Sequence, residues 1–191
     1  MTGGVDLSPQ GLQTRRDSGE QAAESRADDF ADGLDAVLLL VVNAAQVKAI
    51  LFGENGLASR LKPGTAVMVS STISSADAQS IEQQLAQHQL IMLDAPVSGG
   101  AIKAAAGEMT VMASGSDAAF DRRQPVLDAV AGKVYRIGSE IGLGSTVKII
   151  HQLLAGVHIA AGAEAMALAA RAGIPLDTMY DVVTNAAGNS W

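Results

Sequence analysis

"IGLGSTVKIIHQLLAG", residues 141–156, marks the point at which the pattern of the chain changes. Before it, short apolar runs bounded by turn residues alternate with helical patterns, which is typical of a parallel α/β sheet. After it, from about residue 145 to residue 171, there is no strand signal, only a long run rich in Ala, Leu, Ile and Met. We therefore predict an α/β domain over 1–140 and the start of an all-helical domain over 141–191.

The α/β part contains five runs with the length and composition of strands. The run "AVLLLVV" is apolar on both of its faces, which predicts an interior strand. Helical patterns lie between the runs, and Ser74 or Ser75 is the expected N-cap of one of them. The predicted strands are 36–42, 65–71, 90–96, 108–115 and 133–138, and the predicted helices are 44–51, 75–88, 101–106, 117–130, 145–171 and 176–185.

The composition excludes several classes of function. The formal net charge is -7 and the 13 basic residues are scattered, whereas nucleic-acid binding needs clustered Lys and Arg. The chain has no cysteine, which excludes disulfides and thiolate metal sites. The N-terminal residues lack the apolar core of a signal peptide. The apolar stretch 153–170 is interrupted by His158 and Glu164, so we interpret it as a buried helix and expect no membrane span and a cytoplasmic protein.

Gly142 and Gly144 resemble the beginning of a dinucleotide-binding glycine loop. That fingerprint requires a strand that runs directly into G-x-G-x-x-G/A at the start of a helix. Here the third small position is Val147, and residues 138–141 separate the glycines from the preceding strand. No other G-x-G-x-x-G occurs in the chain. We therefore predict no pyrophosphate cradle at these glycines and interpret them as the flexible entry to a helix.

The helix that follows carries polar residues on one face. At 100° per residue Lys148, His151 and Gln152 share a stripe that Ala155 and His158 continue. Such a stripe is costly unless it lines a cleft, and a partly desolvated lysine has a lowered pKa that suits proton transfer. The alternative is that Lys148 extends to solvent near the start of the helix. Two histidines seven residues apart are weak evidence for a metal, and we expect none.

Three other segments place small polar residues at strand ends, where open α/β sheets bind ligands. In "LDAPVSGG" (93–100) a hydroxyl and bare backbone amides at Ser98, Gly99 and Gly100 can hold a carboxylate or phosphate. The segments "VSSTISS" (69–75) and "VVNAAQV" (41–47) contribute Thr72 and Asn43. For each segment the alternative is structural, namely a tight strand-to-helix turn or a helix cap.

Taken together, three of these motifs resemble the β-hydroxyacid dehydrogenase family. They are "DAPVSGG" (94–100), "GEMTVMASG" (107–115) and "GLGSTVKIIHQLLA" (142–155), and their order and spacing are specific although each alone is weak. The resemblance covers nearly the whole chain. It implies a Rossmann-type α/β domain followed by an all-helical domain, NAD as the cofactor and a small hydroxy acid as the substrate.

The resemblance also implies roles at the reacting end of the site. Lys148 matches the family's catalytic lysine, which takes the hydroxyl proton as hydride leaves the substrate for the nicotinamide. Ser98, Gly99 and Gly100 match the loop that holds the substrate carboxylate and hydroxyls. Gln152 occupies the position at which many members have Asn, so the amide is kept on a longer side chain.

Three further residues match the cofactor side of the family. Thr72 and Asn43 match positions along the nicotinamide ribose and the adenosine. Asp6, in "GVDLSP" (4–9), matches the acidic residue that ends the second strand of the Rossmann domain. Such a residue would hydrogen-bond the adenosine ribose and favour NAD over NADP.

The chain departs from the family pattern at both ends. If residues 4–9 end the second strand, the first strand, its glycine loop and the first helix are expected to be absent, which would leave two strands without the partner between them. The helical domain is expected to end after its first helices, leaving an apolar helix exposed and favouring a homo-oligomer. The alternatives are therefore an NAD-dependent hydroxyacid dehydrogenase and an inactive fragment or association module of that family.

Overall fold

The computed structural model describes residues 3–19, 22–24, 27 and 31–189. Contacts within the chain divide it into two compact units, Met1–Lys148 and Ile149–Trp191. The division lies inside one long helix, eight residues beyond the boundary predicted at 140. The boundary at 140 stays a prediction.

The first unit is built of strands and helices in alternation. Its elements are β1 (Gly3–Val5), α1 (Pro9–Asp17), β2 (Ala22–Glu24), β3 (Ala36–Leu39), α2 (Ala44–Phe52), β4 (Ala66–Val69), α3 (Ser75–Gln87), β5 (Ile91–Asp94), β6 (Val97–Ser98), α4 (Gly100–Ala105), β7 (Met109–Ser114), α5 (Asp117–Val130), β8 (Ala131–Gly138) and the beginning of α6 (Leu143–Arg171). Single 3-10 turns occupy Ala31–Gly33 and Leu57–Ser59. All five predicted strands and all four predicted helices of this part are present.

The strands form two separate sheets. β1 and β2 make a parallel two-stranded sheet, and the other six strands form a second sheet in the order β3-β4-β5-β7-β6, with β8 also paired to β7. Among the described residues no strand joins the two sheets. The fold is a Rossmann-like sheet with flanking helices, which confirms the predicted fold class.

The structure corrects two expectations about the larger sheet. The sheet is mixed, because β7 runs antiparallel to β5 and β6 although β3, β4 and β5 are mutually parallel. β3 was expected to be interior, but in the described part of the chain β4 is its sole neighbour. Leu38 is 40% exposed, whereas Val37 and Leu39 on the other face of the strand are buried.

Local capping explains where the helices begin. In four helices the residue before the first turn accepts a hydrogen bond from a backbone amide three residues later, which satisfies one of the free N–H groups of that turn. The pairs are Ser8 with Gly11, Asn43 with Gln46, Ser74 with Asp77 and Ser116 with Ala119. The expected cap at Ser74 is thereby confirmed.

The core of the first unit lies on both faces of β4 and β5. One cluster packs Val67 and Val69 against α2 and α3, and a second packs Met68 and Leu93 against α5. Residues of both strands are fully buried, so their carboxyl ends are held rigidly. The segments that carry the candidate site residues 70–74 and 95–100 leave the sheet at these ends.

The second unit consists of most of α6 and of α7 (Leu176–Asn185). α6 ends at Arg171, and in the turn that follows it Gly173 has φ of +75° and the amide of Ile174 donates to the carbonyl of Ala169. Glycine suits this left-handed position because it has no Cβ.

α6 was expected to be a buried helix, and that expectation is wrong. Its exposed side chains include Leu153 at 66% and Ile159 at 64%. Among the described residues α6 is the one helix that is long and apolar enough to span a membrane, judged by length and composition alone.

Candidate functional site

A buried carboxylate joins the end of β5 to the start of α6. Asp94 is fully buried and accepts hydrogen bonds from the backbone amides of Gly142 (3.0 Å) and Ser145 (2.9 Å). The hydroxyl of Ser145 donates to its other oxygen at 2.7 Å, and the hydroxyl of Ser114 donates at 3.3 Å. Burial raises the pKa of the Asp94 carboxyl, and these four donors oppose the shift.

The two glycines at the start of α6 allow this close packing. Gly142 has φ of +99°, a conformation that favours glycine. A Cβ on Gly144 would lie 2.5 Å from the carbonyl oxygen of Met112 and 2.8 Å from that of Asp94. The glycines are therefore required for close approach of helix to sheet, and the interpretation as a flexible entry is wrong.

The amides of these glycines are not free to bind phosphate. The Gly142 amide donates to Asp94, and the Gly144 amide donates to the hydroxyl of Ser114 at 3.0 Å. An anionic carboxylate already occupies the end of the helix where a pyrophosphate would have to sit. This geometry agrees with the prediction that the glycines are no pyrophosphate cradle.

Lys148 lies one helical turn after this junction and is buried, with 6% of its surface exposed. Burial lowers the pKa of its ammonium below the ordinary lysine value, and no described carboxylate offsets the shift. The side chain therefore does not extend into solvent, which removes the structural alternative left open by the sequence. Its catalytic role stays a prediction.

Gln152 and His151 belong to the second unit and are both exposed. The Nδ1 atom of His151 lies 3.3 Å from Oε1 of Gln152, within hydrogen-bonding distance. The reach of the Gln152 amide toward a substrate stays a prediction. In the described part of the chain no group of three or more His, Cys, Asp and Glu residues is arranged to hold a metal ion.

The predicted turn at Ser98, Gly99 and Gly100 is present. Ser98 ends the short strand β6, where it pairs with Thr110 of β7. Gly99 has φ of +140° and Gly100 has φ of +68°, so both positions favour glycine. Both glycines are exposed, which leaves their backbone accessible to a ligand.

Asn43 and Thr72 line one pocket at the carboxyl ends of β3 and β4. The pocket measures about 510 Å³, and Lys48 and Asp77 lie across it in an ion pair of 2.7 Å. The side chain of Asn43 also caps α2, accepting from the Gln46 amide at 3.0 Å. Hydrogen bonds from Lys48 and from the Ser74 hydroxyl lower the pKa of the Asp77 carboxyl.

Asp6 follows β1 in the smaller sheet and is not among the residues that line this pocket. One of its carboxylate oxygens accepts from the Ser8 amide at 2.9 Å. A Cβ on Gly11 would lie 2.5 Å from the other oxygen, so the carboxylate packs against the first turn of α1. The predicted position after a strand is present, and its contact with a ribose stays a prediction.

Sequence reasoning missed the polar residues that hold the site together. Asp94, Ser114 and Ser145 are all buried and form one hydrogen-bonded group, although they are 20 to 51 residues apart. The available signal was a lone carboxylate that ends the apolar run "LIMLD" (90–94). The hydroxyl of Ser70, at the end of β4, was also missed and is buried with no hydrogen-bond partner among the described residues.

The described residues fit one half of a nicotinamide dinucleotide. The open pocket beside Asn43 and Thr72, at the carboxyl ends of parallel strands, suits the nicotinamide ribose. The glycines at 142 and 144 do not add a pyrophosphate cradle, because their amides are engaged by Asp94 and Ser114.

The fold and these motifs define a class, the NAD(P)-binding dehydrogenases. The protein-family model for the NAD binding domain of 6-phosphogluconate dehydrogenase matches residues 2–138. The family model for the NAD-binding part of NADP-dependent 3-hydroxyisobutyrate dehydrogenase matches residues 142–191. The chain belongs to the 3-hydroxyisobutyrate dehydrogenase-like family of β-hydroxyacid dehydrogenases, whose cofactor is NAD(P).

Individual relatives agree with this assignment. The chain is 76% identical over 190 residues to L-threonate dehydrogenase of Pectobacterium atrosepticum, covering 100% of this chain and 62% of the relative. The crystal structure of 3-hydroxyisobutyrate dehydrogenase from Salmonella typhimurium has a TM-score of 0.94 at 68% identity, covering 98% of this chain and 65% of that one. The chain thus spans about three fifths of the length of the curated relatives it matches.

Proposed function

We propose that this chain supplies the reacting half of an NAD-dependent hydroxyacid dehydrogenase that oxidises L-threonate or a similar small hydroxy acid at its C2 hydroxyl. The observation that carries the proposal is the buried Lys148, whose pKa is lowered by desolvation. The high identity to relatives named L-threonate dehydrogenase favours that substrate over other hydroxy acids.

Lys148 acts as the base in this proposal. Its neutral amine accepts the proton of the substrate hydroxyl while the C–H bond at the same carbon breaks and a carbonyl forms. The hydride leaves with the bonding electron pair, and NAD, when bound, supplies its acceptor. A lowered pKa increases the neutral fraction of the amine, which general-base catalysis requires.

Other residues hold the reactants in the proposed site. Ser98, Gly99 and Gly100 bind the substrate carboxylate and hydroxyls, and Gln152 donates a further hydrogen bond to substrate. Asn43 and Thr72 line the nicotinamide ribose and the adenosine side of the cofactor. Asp6 accepts from the adenosine ribose and selects NAD over NADP. The exposed backbone of the Gly99–Gly100 turn and the pocket beside Asn43 support these assignments.

Nicotinamide absorbance measured with purified chain, NAD and L-threonate tests the activity. The variant Lys148→Met keeps the size of the side chain and removes the base, so kcat should fall by about two to four orders of magnitude. The exposed Lys133→Met is the matched control and should retain activity. Retained kcat in Lys148→Met would reject the assigned role.

A second candidate function is that of an association module without catalysis. The exposed apolar side chains of α6, among them Leu153 and Leu154 at 66% and 55% exposure, favour it. Calorimetric titration with NAD and NADP separates the two proposals. Binding of NAD supports the dehydrogenase, whereas a folded chain that binds neither cofactor and forms oligomers supports the module.

The composition and the relatives support a proposal for the location, the assembly and the partners of the protein. We place it in the cytoplasm as a homo-oligomer with a small-molecule substrate and without a nucleic-acid or membrane partner. The net charge of -7 supports the exclusion of nucleic acid. Partition of the purified chain between buffer and lipid vesicles checks the membrane assignment, and binding to the vesicles would contradict it.

A further inference from the structure

α6 is capped differently from the other long helices of the first unit. Ser8, Asn43, Ser74 and Ser116 cap α1, α2, α3 and α5 from the adjoining residue. The first turn of α6 is instead bound by Asp94, a carboxylate on a strand 48 residues earlier in the chain. A local cap satisfies amides without fixing the helix in space, whereas a cap from a buried strand also determines where the helix lies.

The bonds between β5 and α6 leave little freedom of movement. Asp94 accepts from two backbone amides and from the hydroxyls of Ser145 and Ser114, so both of its oxygens are engaged. The Ser114 hydroxyl in turn accepts from the Gly144 amide. The absence of a Cβ on Gly144 lets the helix backbone contact the carbonyl of Asp94 itself.

Lys148 follows Ser145 by three residues and Gly144 by four, so it lies directly above them on the same helix face. Ser145 and Lys148 are buried, whereas Ile149 and Ile150 are 46% and 57% exposed. The first two turns of α6 are therefore the part that the sheet holds, and the lysine lies at the end of that part.

We propose that Asp94 is a positioning residue that fixes the first turn of α6 on β5 and thereby sets the location and burial of the Lys148 amine. The link to catalysis rests on the proposed function, but the effect on Lys148 does not. A carboxylate is suited to the task because it only accepts hydrogen bonds, and all four of its partners here are donors.

The substitution Asp94→Asn tests the proposal in the full chain. The amide has nearly the same size, but it is neutral and keeps only one acceptor oxygen, so the hydroxyl of Ser145 must accept instead of donate and the bonds from the backbone amides of α6 weaken. Two readouts report on Lys148 without any need for activity. They are the rate at which an amine reagent labels each lysine, followed by mass spectrometry across pH, and amide hydrogen exchange over residues 143–148.

The labelling rate of Lys148 at high pH, where every lysine is neutral, should rise about tenfold in Asp94→Asn. Exchange over 143–148 should accelerate in the same variant. Ser116→Ala is the control, because it removes the cap of α5 and lowers stability without touching α6. It should leave Lys148 unchanged, which separates positioning from a general loss of stability.

A folded Asp94→Asn chain with unchanged high-pH labelling and unchanged exchange overturns the proposal. A shift in the pH midpoint alone also overturns it, since that would show an electrostatic effect without movement. If Asp94→Asn does not fold, Ser145→Ala removes only the 2.7 Å bond and decides by the same criteria, with a smaller increase expected. In an active chain both variants should lower kcat more than they raise KM.

Discussion

Lys148 is held in the folded chain with 6% of its surface exposed, and burial lowers the pKa of its ammonium. Charged lysine is therefore less favourable in the folded state than in the unfolded state. The free energy of unfolding is reduced by a constant amount below the folded-state pKa, and this penalty disappears as the pH rises toward the ordinary value of 10.5.

We expect Lys148→Met to raise the free energy of unfolding by about 1 kcal/mol near neutral pH. The gain should shrink as the pH rises through 10.5, because the lysine of the unfolded parent chain then loses the charge that the folded chain has already lost. Urea unfolding followed by circular dichroism at several pH values measures it. Lys133→Met, at an exposed position, should show no such pH-dependent gain, and a gain equal at all pH values would contradict the explanation.

At the residue scale, the sequence predicted the positions of candidate site residues where local spacing determines them. The helical period placed Lys148 on a polar stripe, and strand-end composition placed Ser98 and Thr72 at the sheet edge. Asp94 could not be predicted, because its partners Gly142 and Ser145 become neighbours only when the sheet and α6 have packed together. A hydrogen bond across 48 residues leaves no periodic signal in the sequence.

At the scale of elements, two glycines of the same helix are expected to behave in opposite ways. Gly144→Ala would place a Cβ 2.5 Å from the Met112 carbonyl, so we expect the free energy of unfolding to fall by about 3 kcal/mol. Among the described residues, no atom beyond the helix's own neighbouring backbone lies within 4 Å of a Cβ at Gly156, where alanine should add about 0.5 to 1 kcal/mol through its helix propensity. Chemical denaturation of both variants measures the contrast.

Equal effects at the two positions would show that helix propensity, and not close approach to the sheet, determines which side chains α6 tolerates.

Helix limits were well predicted where a local cap exists. The prediction of 75–88 for α3 compares with Ser75–Gln87, and that of 117–130 for α5 is identical to the observed range. α1 was not predicted, since its nine residues are mostly polar and none is buried.

For the molecule as a whole, the exposed apolar face of α6 predicts self-association, because large apolar patches favour contact with other chains. Replacing Leu153 and Val157, at 66% and 53% exposure, by glutamate should shift the chain toward monomer. Light scattering over a wide range of protein concentration measures this. Leu7→Glu, at 88% exposure but outside α6, is the control and should leave association unchanged.

A monomeric parent chain, or association that survives both glutamate substitutions, would show that α6 is not the contact between chains.

The division into an α/β part and a helical part was predictable from the loss of strand signal after residue 138. The antiparallel course of β7 was not, because direction within a sheet depends on pairings that composition does not encode.

In the part of the chain that the structure describes, β3 lies at the edge of its sheet, and this position affects how the chain could misfold. Natural edge strands are protected by lysine, proline or a bulge, whereas residues 36–42 contain only alanine, leucine and valine. Leu38, Leu40 and Val42 are 40%, 55% and 80% exposed, so the segment presents apolar side chains to a second copy of the chain. This seven-residue segment has the composition of a steric zipper and is the place where a cross-β fibril would begin.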